Sequence, residues 1–313
     1  MPDERVEYDE FAYFADNAAE FGIPYRFAPI VSRESVDLAD GPSMSALIGG
    51  EGEPEIVLIH GGAQNAHTWD TVALALDRPL VAIDLPGHGH SGPPSSGAAD
   101  IEAIAADLGE VIAALAPKAP VIVGMSLGGL GLLALSQARP ELVDVLFLVD
   151  ITPGVDREKA DSIHRFVNGP TSFASFDELL ARTMEFNPTR TESSLRRGIL
   201  HNAEQLDDGS WVWRHARYRV FDGDLDQAGS RAGERDYESL WEAIESHPGE
   251  LVLARGMRDQ SVVDDADEAR LLSLRPDARV EHFVEAGHSV QGDMPIELAS
   301  LISDVTDAAL SNP

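Results

Sequence analysis

The segment Gly124-Met125-Ser126-Leu127-Gly128-Gly129 sets a serine two residues from a glycine on either side, the spacing of a nucleophile held on a sharp turn. A serine hydroxyl attacks an acyl carbon only when a base takes its proton, so the chemistry this points to is acyl transfer through a serine. The surrounding residues fit that use. Val121-Ile122-Val123 reads as a strand, and the apolar stretch Leu127 to Gln137 as a helix. Glycines remove the Cβ atoms that would collide in a tight strand–helix turn. The helix N-terminus brings positive potential to where an oxyanion develops. The chain has no cysteine, which excludes thiolate catalysis, disulfides and zinc–sulfur sites.

The elements that must position Ser126 follow a regular rhythm. Ser45 to Ile48, Glu55 to Ile59, Leu80 to Ile83, Val121 to Val123 and Val145 to Val149 are short apolar runs, as expected of strands buried on both faces. Between them, Trp69 to Leu76, Ile101 to Leu115 and Leu127 to Gln137 carry helical patterns. The rhythm lapses after Pro153 and returns with Glu250 to Ala254 (strand), Asp267 to Leu274 (helix), Val280 to Val284 (strand) and Ile296 to Leu310 (helix). Alternation of this kind predicts an α/β fold with a mainly parallel sheet and right-handed crossovers. The predicted organisation is an N-terminal extension over residues 1–35, a core over 36–154 and 247–313, and a mostly helical insertion over 155–246. In the extension, Phe11, Phe14, Ala18 and Phe21 fall near helical spacing and predict a short helix packed on the body or on another subunit.

With these motifs in place, the chain from about Met44 onward resembles the α/β-hydrolase superfamily, in its serine-nucleophile, capped form. His60-Gly61-Gly62 resembles that family's oxyanion loop, and Asp84-Leu85-Pro86-Gly87-His88-Gly89-His90-Ser91 its turn after the next strand. Arg255-Gly256-Met257-Arg258-Asp259 and Glu285-Ala286-Gly287-His288 resemble the strand ends that bear the acid and the histidine. The resemblance implies His288 as base, Asp259 as the carboxylate that orients it, and backbone N–H groups of Gly62 and Leu127 as oxyanion donors, with Ala63 a weaker choice than Gly62. Asp150 is a rival acid, since some members of the superfamily use that strand. His60 is expected to brace its loop, and Asp84 and His88 to hold a turn. Trp69, Met125, Trp211 and Trp213 are candidates for the substrate pocket.

The formal charge of −31, from 54 acidic and 23 basic residues, argues against nucleic acid and anionic membranes as partners and fits a solubility or salt adaptation. The partner expected is a small-molecule substrate. The acidic N-terminus has no apolar signal region, and no segment reaches membrane-spanning length, so a cytoplasmic enzyme is expected. His88 and His90 match no known ligand spacing, and neither metal nor cofactor is expected.

Serine at the elbow disfavours the dehalogenase and epoxide-hydrolase branches, which use aspartate there. The expected activity is hydrolysis of a small to medium carboxylic ester or lactone. Alternatives on the same fold are C–C bond hydrolysis of vinylogous diketones, perhydrolase or acyltransferase activity, a cofactor-independent oxygenase, and a low-turnover ligand-binding receptor. The insertion is expected to cap Ser126. Some of its rings (Phe166, Phe173, Phe176, Phe186, Trp211, Trp213, Tyr218) would line an apolar pocket for an uncharged or weakly polar substrate.

Overall fold

The computed structural model describes residues 5–26, 28–39, 41–94, 100–155, 158–216 and 237–311. Helix α1 (Phe14–Phe21) precedes β1 (Val31–Val36), β2 (Met44–Gly49) and β3 (Ile56–Ile59). A 3₁₀ turn, Ala66–Trp69, runs into α2 (Asp70–Leu76), followed by β4 (Leu80–Ile83), α3 (Ile101–Leu115), β5 (Val121–Met125), α4 (Leu127–Ala138) and β6 (Val145–Val149). The inserted segment carries α5 (Asp161–Val167), β7 (Ser172–Phe173), α6 (Phe176–Phe186), α7 (Glu192–Asn202), β8 (Ala203–Gln205) and β9 (Trp211–Trp213). The core resumes with α8 (Leu240–Ser246), β10 (Glu250–Gly256), α9 (Asp265–Leu274), β11 (Arg279–Phe283), α10 (Val290–Asp293) and α11 (Pro295–Ser311).

The main sheet has eight strands in the order β1-β2-β4-β3-β5-β6-β10-β11. The β1–β2 and β2–β4 pairs are antiparallel and the rest parallel. Side chains alternate across a strand, so each buried run feeds two layers. Val57, Ile59, Ile122, Leu146 and Leu148 face α3, α4, α8 and α9, meeting residues such as Leu108, Leu132, Trp241 and Leu271. Ile56, Leu58, Val123, Phe147 and Val252 face the other way, against Trp69 and Val72 beside α2 and Leu298, Ile302 and Val305 of α11. This is why the central strands read as unbroken apolar runs. The α3 N-terminus is capped by the Asp100 carboxylate, and that of α9 by a capping box between Asp264 and Asp267.

Three features differ from expectation. Val31–Val36 is a sheet strand rather than part of the extension; as an edge strand carrying Ser32, Arg33, Glu34 and Ser35, it shows no apolar run. The insertion contains a three-stranded antiparallel sheet, β7-β9-β8, beside its helices, with strands of two or three residues that are too short to show a period. Helix α8, assigned to the insertion from sequence, packs into the main core through Leu240, Trp241 and Ile244.

The insertion has its own small core of Phe173, Leu179, Leu180, Leu195, Ile199, Trp211 and Trp213. Ring contacts reinforce it: Phe176 on Trp211 at 5.1 Å and Phe166 on Trp213 at 5.8 Å. Tyr218, named with these rings from sequence, lies outside the described residues. No described helix is long and apolar enough to cross a membrane.

Candidate active site

Ser126 stands between β5 and α4 with φ 50° and ψ −120°, a backbone conformation that is costly for a non-glycine residue. The close approach of α4 to the sheet enforces it. A Cβ on Gly124 would lie 2.7 Å from the Gly129 Cα, and one on Gly128 would lie 2.5 Å from the His60 carbonyl oxygen. The turn presents Ser126 to a cavity of about 510 Å³, which His288, Gly62 and Met125 also line.

His288 follows β11 and approaches the end of β6, where Asp150 is fully buried with φ 46°. The imidazole Nδ1 donates to Asp150 Oδ2 at 2.9 Å. Three further donors hold the same carboxylate: the Gly256 N–H at 2.9 Å and the Ser261 hydroxyl at 2.6 Å on Oδ1, and the Val262 N–H at 3.1 Å on Oδ2. A carboxylate so held fixes the ring with its proton on Nδ1, leaving the Nε2 lone pair for a hydroxyl proton. Among the described residues no hydrogen bond joins Ser126 Oγ to His288; such contacts often tighten only when substrate binds.

The carboxylate partner expected from sequence was Asp259, and the structure corrects this to Asp150. Asp259 is exposed in the turn after β10, at the cavity mouth. That turn contributes instead through Ser261 and Val262, which clamp Asp150.

The expected oxyanion donors lie on the loop after β3 and at the start of α4. Ala63 has φ 60° and its N–H donates to His88 Nε2 at 3.0 Å, which removes it as a donor. The Gly61 N–H donates to Gln64 Oε1 at 3.2 Å. Gly62 lies against Leu127, a Cβ there coming within 3.7 Å of the leucine side chain, and neither amide has an acceptor among the described residues. His60 is fully buried, donates from Nδ1 to the Gly61 carbonyl at 2.7 Å and accepts the Leu85 N–H at 2.9 Å. Burial holds its pKa below the ordinary value, so it braces the loop as a neutral ring. Asp84 accepts from the Ala66 N–H at 2.7 Å and the His90 N–H at 3.0 Å, holding its turn.

Of the four pocket candidates, Met125 and Trp213 line the cavity. Trp69 is fully buried in the sheet–helix core and Trp211 packs within the insertion; both are structural. The remaining wall comes largely from the insertion, with Phe166, Phe186, Leu195 and Ile199 as its apolar part. Sequence reasoning missed Arg190, which lines the same cavity, because an arginine in a polar turn before a helix looks like a solvated surface.

At the cavity wall, Glu10 of the extension, Arg33, His67, Asp70 and His201 form a charge network in which the two histidines and Asp70 are buried and Glu10 and Arg33 half-buried. His67 donates to Asp70 and Glu10, both at 3.0 Å. Burial alone would lower its pKa, but the two carboxylates outweigh that and push it up to about 9. His67, Asp70 and His201 lie close enough to suggest a metal site. However, the two imidazoles stack at 3.8 Å with planes 12° apart. An ion in the plane of one ring is therefore out of plane for the other, where no lone pair points. The cluster acts as a hydrogen-bonded network joining extension, core and insertion.

A mainly parallel sheet with an elbow serine, a histidine–aspartate pair brought together beyond the ends of β11 and β6, and a glycine-rich loop facing the serine defines an α/β hydrolase. The chain belongs to the alpha/beta hydrolase family, whose profile matches residues 56–301. It is 37% identical over 312 residues to esterase Rv0045c of Mycobacterium tuberculosis, spanning 97% of this chain and 98% of that one. The crystal structure of that esterase superposes with a TM-score of 0.80 over 97% of this chain and 100% of the other. An sn-1-specific diacylglycerol lipase, ABHD11 of Xenopus laevis, is 26% identical over 88% of this chain and 84% of its own. An E-2-(acetamidomethylene)succinate hydrolase shares the fold at 22% identity, with a TM-score of 0.74 over 89% of this chain and 100% of that one.

Proposed function

We propose that this protein hydrolyses small to medium carboxylic esters or lactones through an acyl-enzyme on Ser126. The observation that carries this reading is the fourfold-held Asp150 carboxylate paired to His288, which shares a cavity with a serine on a strained turn. His288 Nε2 takes the Ser126 proton as Oγ attacks the ester carbonyl, and Asp150 stabilises the imidazolium that forms. The tetrahedral oxygen is held by the Gly62 and Leu127 N–H groups, donors of a kind that contribute roughly 2.7–4 kcal/mol each. The imidazolium then protonates the departing alkoxide, and the same base activates water to release the acid. The segment from about 158 to 216 serves as a cap, since its rings Phe166, Phe186 and Trp213 line the cavity that holds Ser126. Similarity to a mycobacterial esterase over nearly the whole chain supports an ester substrate.

The test combines labelling with turnover. A fluorophosphonate should add once, on Ser126 by peptide mass, and Ser126→Ala should remove the adduct and reduce ester turnover by up to about 10⁶-fold. An adduct on another residue, or full turnover by Ser126→Ala, would overturn the reading.

A further inference from the structure

Arg190 is a cavity residue that ester hydrolysis does not explain. It lies in the turn before α7, its own N–H donating to the Asn187 carbonyl at 3.2 Å. In a chain where acids outnumber bases by more than two to one, the buried arginines are matched to carboxylates: Arg197 to Glu20, Arg255 to Asp265 and Glu268, and Arg275 to Asp277. Arg190 is not. Its guanidinium donates to the Ser194 hydroxyl and forms no ion pair among the described residues. The acids nearest in charge, Asp293 and Glu20, are engaged elsewhere. Asp293 accepts from the Gly287 N–H at 2.9 Å and the Thr189 hydroxyl at 3.0 Å, and Glu20 holds Arg197 and Thr191.

The position of this charge matters as much as its lack of a partner. A Cβ on Gly292 would lie 1.8 Å from Arg190 Nη1, so the guanidinium rests on the backbone of α10, the helix that begins two residues after His288. Glycine at 292 leaves the space it occupies. Arg190, Ser126 and His288 share one cavity. Burial among protein atoms pulls the Arg190 pKa down, with Asp293 and Glu20 opposing. A guanidinium in such a place is costly until a carboxylate meets its planar fork.

We propose that Arg190 binds a carboxylate carried by the substrate, so that the preferred substrates are monoanionic esters such as half-esters of short dicarboxylic acids. This rests on the acyl-enzyme reading of Ser126, and it replaces the uncharged substrate expected from composition. The acidic body does not oppose it at short range. Repulsion between exposed charges is screened beyond about 8 Å at physiological salt, whereas a contact inside the cavity is screened far less.

The experiment compares 4-nitrophenyl butyrate with 4-nitrophenyl hemisuccinate and hemiglutarate, and 4-nitrophenyl acetate with 4-acetoxybenzoate, which carries its charge on the alcohol side. The native enzyme should favour a charged member of one pair in kcat/KM, and glutarate or benzoate should compete with butyrate hydrolysis. In Arg190→Gln that preference should fall about 10- to 100-fold, chiefly through KM, the worth of a hydrogen bond to a charged group. Arg190→Lys should retain part of it. Should Arg190→Gln fail to fold, competition by the free carboxylates in the native enzyme decides. No preference and no competition in the native enzyme, or an equal loss on charged and neutral esters in Arg190→Gln, would overturn the proposal. Fluorophosphonate labelling of Ser126 in the same preparation separates that result from a failure of the hydrolase reading, which would leave Ser126 unlabelled.

Discussion

Asp150 and His288 lie 138 residues apart in the chain and meet at 2.9 Å. The aspartate ends β6, the strand between the nucleophile strand β5 and the strand β10 that carries Asp259. Asp150→Asn would offer His288 an amide, which favours the wrong tautomer, and should lower kcat by about 10⁴-fold with little change in KM, by analogy with serine proteases. Asp259→Asn, altering an exposed side chain, should leave kcat close to that of the native enzyme. Steady-state kinetics on one neutral ester measures both. Equal losses, or the reverse order, would return the acid to Asp259.

The misassignment shows where the sequence runs out. Both Asp150 and Asp259 follow apolar strands, and the glycine before Asp259 resembles the family turn, so local pattern ranks them wrongly. What separates them is sheet order and the three donors from Gly256, Ser261 and Val262 that converge on Asp150, and neither is written in spacing along the chain. The elbow was legible because its chemistry is local: strand, turn, serine and helix are contiguous. Strand β1 was hidden by polar edge residues, and the insertion's sheet by its brevity. Arg190 could not be read because the absence of a partner is a property of three-dimensional neighbours.

The network around His67 predicts a pH dependence of stability. With the folded pKa near 9 against an ordinary 6.5, the stabilisation is complete below about pH 6.5 and is lost as pH rises through 9. The loss should be on the order of 3 kcal/mol, each pKa unit being worth about 1.4 kcal/mol. Glu10→Gln removes one of the two carboxylates and should bring the decline to lower pH. Denaturant melts between pH 6 and 10 check this, and an identical profile in Glu10→Gln would refute the assignment to His67.

The extension also ties down the insertion. Arg197 of α7 donates to Asn17 Oδ1 at 2.7 Å and to Glu20 of α1, and Tyr8 meets His201 Nδ1 at 2.7 Å. Glu20→Gln leaves the Arg197 charge half-satisfied and should cost about 1.5–3 kcal/mol, the worth of a hydrogen bond to a charged group. Hydrogen exchange should show faster opening of α1 and α7, with the central strands β5 and β6 unaffected. Uniform change across the sheet would mean that the contact supports the whole fold rather than the cap.

Two glycine-to-alanine changes should move stability in opposite directions. At Gly124 the new methyl would meet backbone, the Gly129 Cα at 2.7 Å and the Gly128 carbonyl oxygen at 2.8 Å. Backbone cannot swing aside as a side-chain tip can, so α4 must lift from β5. Overpacking of this kind costs about 1–3 kcal/mol, and because Ser126 caps α4, activity should fall with stability. At Gly198, inside α7, nothing lies within 4 Å of the added Cβ, and φ is not in the left-handed region. Alanine there gains helix propensity of up to about 1 kcal/mol, which for a domain of this size raises Tm by about 2 °C. Thermal melts of the two variants test the pair together. A neutral Gly124→Ala would mean that the elbow does not depend on the close approach of helix to strand.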